Sequence, residues 1–379
     1  MILPKAWHFL RKNVFIFDPL LSLVLLLIAG VSVATMYSAA GPGSERLSIH
    51  IRNLGIAMFI CWAIARLRPQ HLMRVAVPLY LVGVALLLGV EFAGVSAKGA
   101  KRWLDIGITR IQPSEVMKIA VPMALAWFYH LTRNRWPGYV RHMLAALMLV
   151  IPVALVGRQP DLGTAILVGS AGAFTIYFAG LSWRFIFGGM IVGIAALPLL
   201  WINMKAYQQQ RVLTLLDPTA DPLGKGFHII QSTIAVGSGG VEGKGWMKGT
   251  QAHLDFIPER TTDFIFSVYA EEFGLIGTGV LLVLYTCLIA RGLFIAAQAQ
   301  NTFARLLASS MTMIFFTYAF VNIGMVIGIL PVVGVPLPFM SYGGTALVTL
   351  GLACGFLMCI ARQNAIARRG PGYRYQMLG

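Results

Sequence analysis

The sequence has 379 residues, of which 58% are hydrophobic and only 12% charged, and a formal net charge of +16. Soluble domains carry roughly 25% charged residues, so most of this chain has no water to face, and a soluble enzyme or carrier is excluded. A membrane β-barrel is excluded as well, because its strands alternate apolar and polar residues and the apolar runs here are continuous.

At about 20 residues per crossing, ten apolar segments can be drawn. They cover 19–40, 49–66, 72–93, 113–132, 142–157, 162–180, 184–203, 263–290, 305–330 and 341–361. The first imitates a signal peptide, with Arg11 and Lys12 before it and Ser38-Ala39-Ala40 at its end. It is too long for a signal-peptide core and other spans follow, so it reads as a retained helix. The eighth and ninth exceed a simple crossing and are expected to tilt or project. No repeat, low-complexity tract or soluble domain interrupts the pattern. The expected fold is an all-α membrane protein of about ten transmembrane helices, one polytopic domain over 1–379. Residues 204–262 form a large extracytoplasmic loop between helices 7 and 8. Within that loop 226–236 is amphipathic (Phe227, Ile229, Ile230, Ile234) and is expected to lie in the membrane interface.

Charge fixes the orientation. With both termini in the cytoplasm, 16 of the 30 Lys and Arg residues and a single acid, Asp18, fall on the inner side; the other 14 bases and 13 acids face outward. The basic excess is therefore a positive-inside signal and no nucleic-acid partner is implied. The outer side is anomalous by contrast. It holds charges of both signs that topology does not require, many beside apolar runs where ionisable groups are costly.

Four outward stretches could carry chemistry. The first runs from Lys98 through Lys101, Arg102 and Asp105 to Arg110, then Gln112-Pro113-Ser114-Glu115. Pro113 suits a first helical turn, which puts Glu115 and Lys118 on one helix face. The pair is either an internal ion pair or part of a pocket for an anionic headgroup, with Lys98, Lys101, Arg102 and Arg110 as its cations. The second is the long loop, with Arg211, Asp217 and Gly237-Ser238-Gly239-Gly240. Its glycines fail as a phosphate loop: Ser238 stands where Gly is needed before Gly243-Lys244, and Gly245 where Ser or Thr is needed. The third is Pro258-Glu259-Arg260-Thr261-Thr262-Asp263. Thr261 or Thr262 can cap a helix with Asp263 in its first turn, so Asp263 is either a capping acid or a base tuned by the helix dipole. The fourth, Gly328–Gly344, is apolar yet broken by Pro331, Pro336 and Pro338. At membrane depth such a segment must be buried or line a cavity. The four cysteines lie in apolar runs, and the seven histidines show no H-x-x-x-H pair, so no metal or cofactor is evident.

These stretches together resemble the SEDS family (shape, elongation, division and sporulation proteins). The match lies in Lys98–Leu104, Gln112–Lys118, Gln159-Pro-Asp-Leu-Gly-Thr164, Asp217-Pro with Asp221–Gly224, Gly237–Gly240, Pro258–Arg260 with Thr262–Phe264, and Leu337-Pro with Ser341–Gly344. Arg260 after Glu259, Val335-Pro336 and the short tails are more similar to the elongation branch than to the division branch. The resemblance implies a peptidoglycan glycosyltransferase in the bacterial inner membrane, its site facing the periplasm. It would polymerise lipid II into β-1,4 glycan, with inversion and undecaprenyl pyrophosphate as leaving group. It makes Asp263 the essential aspartate and Glu115 and Lys118 cavity residues, with Lys98, Arg102, Arg110 and Arg211 as substrate-binding cations. A class B penicillin-binding protein and other elongation-complex proteins are implied partners. A divalent ion could assist the leaving group, but no ligand cluster supports one. Elongation-branch members often carry His before the Thr-Asp pair; Thr261 stands there in this chain. A lipid II transporter is the rival reading, favoured by intramembrane charge but not by any repeat symmetry.

Overall fold

The structure is a computed structural model that describes residues 17–97, 100–105, 110–159, 161–204, 206–220, 225–254, 256–257 and 259–368. All ten expected segments are helices: α1 (Pro19–Ala40), α2 (Glu45–Ala65), α3 (Pro69–Ala93), α4 (Pro113–Thr132), α5 (Gly138–Arg158), α6 (Leu162–Phe178), α7 (Trp183–Asn203), then α11 (Ile265–Ala297), α12 (Thr302–Val326) and α13 (Gly344–Arg368). The long loop contributes α8 (Ala206–Leu216), α9 (Lys225–Ser238) and the single turn α10 (Thr250–His253). Local signals set the ends. Asp18 accepts from Leu21 N and caps α1, Ser44 caps α2, and Asn301 caps α12. Proline opens α1, α3 and α4, where its missing N–H costs nothing.

Seven of these helices are long and apolar enough to cross a membrane, and two more, over Leu162–Phe178 and Trp183–Leu199, are shorter and apolar. The chain is a multi-pass membrane protein. Helix α4 stands apart, because Glu115, Lys118 and His130 dilute its apolar character. It tolerates them by being central: 15 of its 20 residues are buried, against α3, α5, α6 and α12. Peripheral α7 has no buried residue among its described side chains, and its exposed Phe185, Ile191 and Leu199 face lipid. Helix α13 packs closely on α2 because it is thin there: a Cβ on Gly351 would lie 2.6 Å from Ala57 O.

The first stretch is not irregular loop. It folds as a small antiparallel sheet of β1 (Val95–Ala97), β2 (Ala100–Asp105) and β3 (Arg110–Ile111), with Val95 opposite Trp103 and Leu104 opposite Ile111. Helix α9, the amphipathic stretch of the long loop, docks on α11 and the end of α12. Ile229, Ser232 and Ala235 are buried, and the Ser232 hydroxyl donates to Val326 O at 3.0 Å.

The eighth span is long because it is broken. Gly274 has φ +62° and ψ −159° inside α11, a conformation that favours glycine. The break frees backbone groups that cannot stay unpaired at membrane depth. The glycine-rich loop supplies them: Lys244 N donates to Glu271 O and Gly245 N to Glu272 O, while Gly240 O and Val241 O accept from Leu275 N and Ile276 N, all at 2.9–3.1 Å. A Cβ on Gly239 or Gly243 would lie 2.2 Å from a carbonyl oxygen of α11. The glycines that fail as a phosphate loop thus serve as a backbone plug. Below them the buried Glu271 carboxylate accepts from Lys244 Nζ at 2.7 Å and from Thr250 N and Gln251 N.

Candidate active site

Glu115 and Lys118 meet one turn into α4, as their spacing requires. The Lys118 ammonium donates to Glu115 Oε1 at 2.6 Å and to the Tyr318 hydroxyl of α12 at 2.7 Å. The second Glu115 oxygen accepts from Thr349 of α13 at 3.0 Å. Lys118 is 2% exposed, so its charge is held by these partners and is not presented to solvent. Glu115 faces an open cavity of about 530 Å³, shared by α2, α3, α4 and α13, with Asn53, Gln112 and Thr349 as further polar lining among apolar side chains. Both readings of the pair keep a foothold: it is an internal ion pair, and its carboxylate borders a cavity.

Arg102 lies on β2 and pairs with Asp161, Nη1 to Oδ2, at 3.2 Å. Gln112 donates to the same oxygen at 3.1 Å, and the other oxygen caps α6 by accepting from Thr164 N. Arg110 sits in β3 with its backbone opposite Asp105. Arg211 lies in α8, whose main packing is against α9 and the turn Pro218–Ala220. Lys98 lies outside the described residues. The structure therefore joins Glu115 with Lys118 and sets Arg102 beside the start of α6.

Asp263 is held by backbone. Residues 259–264 form a turn that opens with Glu259 at φ +53°. Helix α11 begins only at Ile265, with Phe264 in the capping position and no side-chain cap. The Thr262 hydroxyl donates back to Glu259 at 3.0–3.1 Å, and Thr261 is buried. Neither threonine caps the helix, and Asp263 precedes the cap position instead of occupying the first turn. Its residue is partly exposed. Asn322 of α12, itself fully buried, donates to Asp263 O at 2.8 Å and to Val335 O at 2.7 Å. The proline-broken stretch wraps the site as an ordered, non-helical segment: Tyr342 N donates to Thr261 O at 2.8 Å, and a Cβ on Gly334 would lie 3.4 Å from Asp263 Oδ2. One residue earlier, Val333 O sits against Gly163 at the start of α6, leaving 2.6 Å for a Cβ there. Val333 and Gly334 thus bridge the helix capped by Asp161 to the Asp263 carboxylate.

Position 261 is structural in this chain. The Thr261 hydroxyl accepts from Arg46 Nη1 at 3.3 Å. A histidine nevertheless approaches from elsewhere. His228 of α9 stacks on Phe264, ring centroids 5.7 Å and planes 21° apart. Burial pulls its pKa below the usual histidine value, against the opposing pull of Glu259. Residue spacing offers no signal for this contact, nor for Tyr318, Thr349 and Asn322. Asp161, within the Gln159–Thr164 stretch, is a further polar residue at this end of α6, where it holds Arg102 and Gln112. Among the described residues no cluster of His, Cys, Asp and Glu could hold a metal ion.

Comparison with known proteins accounts for nearly the whole chain. The peptidoglycan glycosyltransferase MrdB of Escherichia coli K12 is 49% identical over 345 residues, covering 90% of this chain and 93% of that protein. A chain of a peptidoglycan synthase complex, described as coordinating polymerization and crosslinking, superposes with a TM-score of 0.79 at 33% identity, covering 92% of this chain and 98% of that one. The rod shape determining protein RodA of Thermus thermophilus gives a TM-score of 0.69 at 28% identity, covering 92% and 97%. The family model for FtsW, RodA and SpoVE, described as cell cycle protein, matches residues 11–366. This chain belongs to that family, the SEDS proteins.

Proposed function

We propose that this chain is a peptidoglycan glycosyltransferase of cell-wall elongation that polymerises lipid II at the periplasmic face of the inner membrane, with Asp263 as its base. The enzyme class follows the activity named for its relatives. The observation that carries the assignment of Asp263 is its placement: a partly exposed carboxylate ahead of α11, fixed through its own backbone by Asn322, and beside Gly334.

The acceptor hydroxyl gives its proton to Asp263 as its oxygen bonds to the donor's anomeric carbon. The bond from that carbon to the pyrophosphate oxygen breaks on the opposite side, so the α-linked donor yields a β-1,4 product and undecaprenyl pyrophosphate departs with the electron pair. Inverting glycosidases need a second carboxyl to protonate a poor leaving group. Pyrophosphate leaves without one when cations neutralise its charge. Lys98, Arg102, Arg110 and Arg211 are the candidate cations for that task, and Lys118 acts through Glu115. No resident metal enters this scheme.

The family resemblance implies a class B penicillin-binding protein as partner, supplying the transpeptidase for which this sequence carries no Ser-x-x-Lys with Lys-Thr-Gly. Its helix is assigned to the α11–α12 side, where Leu275, Ile276 and Val283 are exposed. The test is polymerisation of lipid II by purified protein, wild type against Asp263→Asn, with and without the partner. Wild type should form glycan polymer and the variant none at unchanged melting temperature. Full polymerisation by the variant would overturn the base.

A further inference from the structure

At the opposite end of the bundle from Asp263, a cavity of about 420 Å³ opens between the end of α4 and the turn joining α11 to α12. Its polar lining is His130, Arg133, Asn134 and Arg135 on one side and Gln300, Asn301 and Thr302 on the other. No acid lines it. Asp18, the one acid that the charge reading puts on this side, is ion-paired to Arg291 at 2.5 Å. Among the described residues none offers Arg133 or Arg135 a carboxylate. Arg133 reaches across the cavity to the Thr302 hydroxyl at 3.3 Å. The 25-residue helix α12 starts here, with Asn301 Oδ1 accepting from Ala304 N at 2.7 Å, so the positive end of its dipole adds to the guanidinium charge.

We propose that this cavity binds the phosphodiester headgroup of an anionic membrane phospholipid. A positive-inside signal needs basic residues in a loop; it needs neither a cavity nor a second loop of hydrogen-bonding side chains facing them. Basic pockets between transmembrane helices on this side of a bilayer suit anionic headgroups. Two neighbours select a lipid over a free phosphate: Leu131, 44% exposed, lines the cavity, and Trp136, 46% exposed, follows the lining residue Arg135 in the chain. They give acyl chains an apolar and aromatic ledge at headgroup depth.

The test is native mass spectrometry of the full chain in detergent, with dioleoylphosphatidylglycerol or dioleoylphosphatidylcholine added, for wild type and Arg133→Gln/Arg135→Gln. Wild type should retain phosphatidylglycerol in preference to phosphatidylcholine. The double variant should bind phosphatidylglycerol about tenfold more weakly, with phosphatidylcholine unchanged. A parallel Arg133→Lys/Arg135→Lys variant keeps the charge and should keep most of the preference, which separates loss of binding from loss of fold. Equal retention of phosphatidylglycerol by wild type and the glutamine variant overturns the proposal. Displacement of the lipid by millimolar inorganic phosphate overturns it in favour of a soluble phosphate ligand.

Discussion

Glu115 and Asp263 both stand near one end of the bundle, but Glu115 is held by side chains and Asp263 by backbone. Glu115 belongs to a cluster drawn from α4, α12 and α13: Lys118 and Thr349 donate to its two oxygens at 2.6 and 3.0 Å, and the Tyr318 hydroxyl accepts from Lys118 at 2.7 Å. Asp263 is set by a turn, by an asparagine that grips two carbonyls, and by a glycine that leaves room beside its carboxylate. The first arrangement neutralises charge in a dry place. The second aims a side chain without committing it to a helix end. A carboxylate meant to take a proton is better served by the second.

The largest expected effect breaks the Asp263 half. Asp263→Asn keeps the shape and removes the base, and polymer formation should fall by about 10²–10⁴-fold, read from glycan product at fixed lipid II. Next comes the buried cluster. Lys118→Met leaves the Glu115 charge without its main partner, and breaking a buried pair costs about 3–5 kcal/mol; the melting temperature should drop sharply. Adding Glu115→Gln should recover most of that stability. If the double variant also recovers full polymerisation, the cluster is purely structural and the comparison narrows to Asp263. Smaller again is Asn322→Ala, which strands the carbonyls of Asp263 and Val335. Each lost partner costs about 1–3 kcal/mol in a buried site. The turnover number should fall while the apparent affinity for lipid II changes little, since the variant misplaces the base and leaves the binding groups alone. A change confined to affinity would remove Asn322 from that role.

The two regions also differ in how far the sequence disclosed them. Glu115 and Lys118 were legible because three residues of helix always bring side chains to one face, and Pro113 marked where that helix starts. Their partners were not, since Tyr318 and Thr349 lie 200 and 234 positions away and only tertiary packing selects them. At Asp263 the sequence suggested a threonine cap, and local propensity lost: Thr261 is consumed by Arg46 and Tyr342, and Thr262 by Glu259. The ten helices were legible from continuous apolar runs. The break at Gly274 was not, because one glycine in an apolar run has no local sign of the loop, thirty or so positions upstream, that completes it.

The smallest effect concerns His228, which no spacing argument could connect to Asp263's neighbour. Its ring lies on Phe264, and burial keeps its folded pKa below the value of 6.5 expected for an unfolded histidine, while Glu259 opposes that shift. The unfolded chain therefore takes up the proton first as pH falls. The stability tied to the neutral ring is complete above 6.5 and is lost as pH drops from there through the folded pKa. Melting temperatures measured from about pH 8 to about pH 5 should decline at the acid end in the wild type. His228→Phe retains a ring against Phe264 and removes the titration, so its decline should be shallower. Parallel curves would mean that the ring on Phe264 is packing alone, and the turn carrying Asp263 would then be insensitive to the protonation of its histidine neighbour.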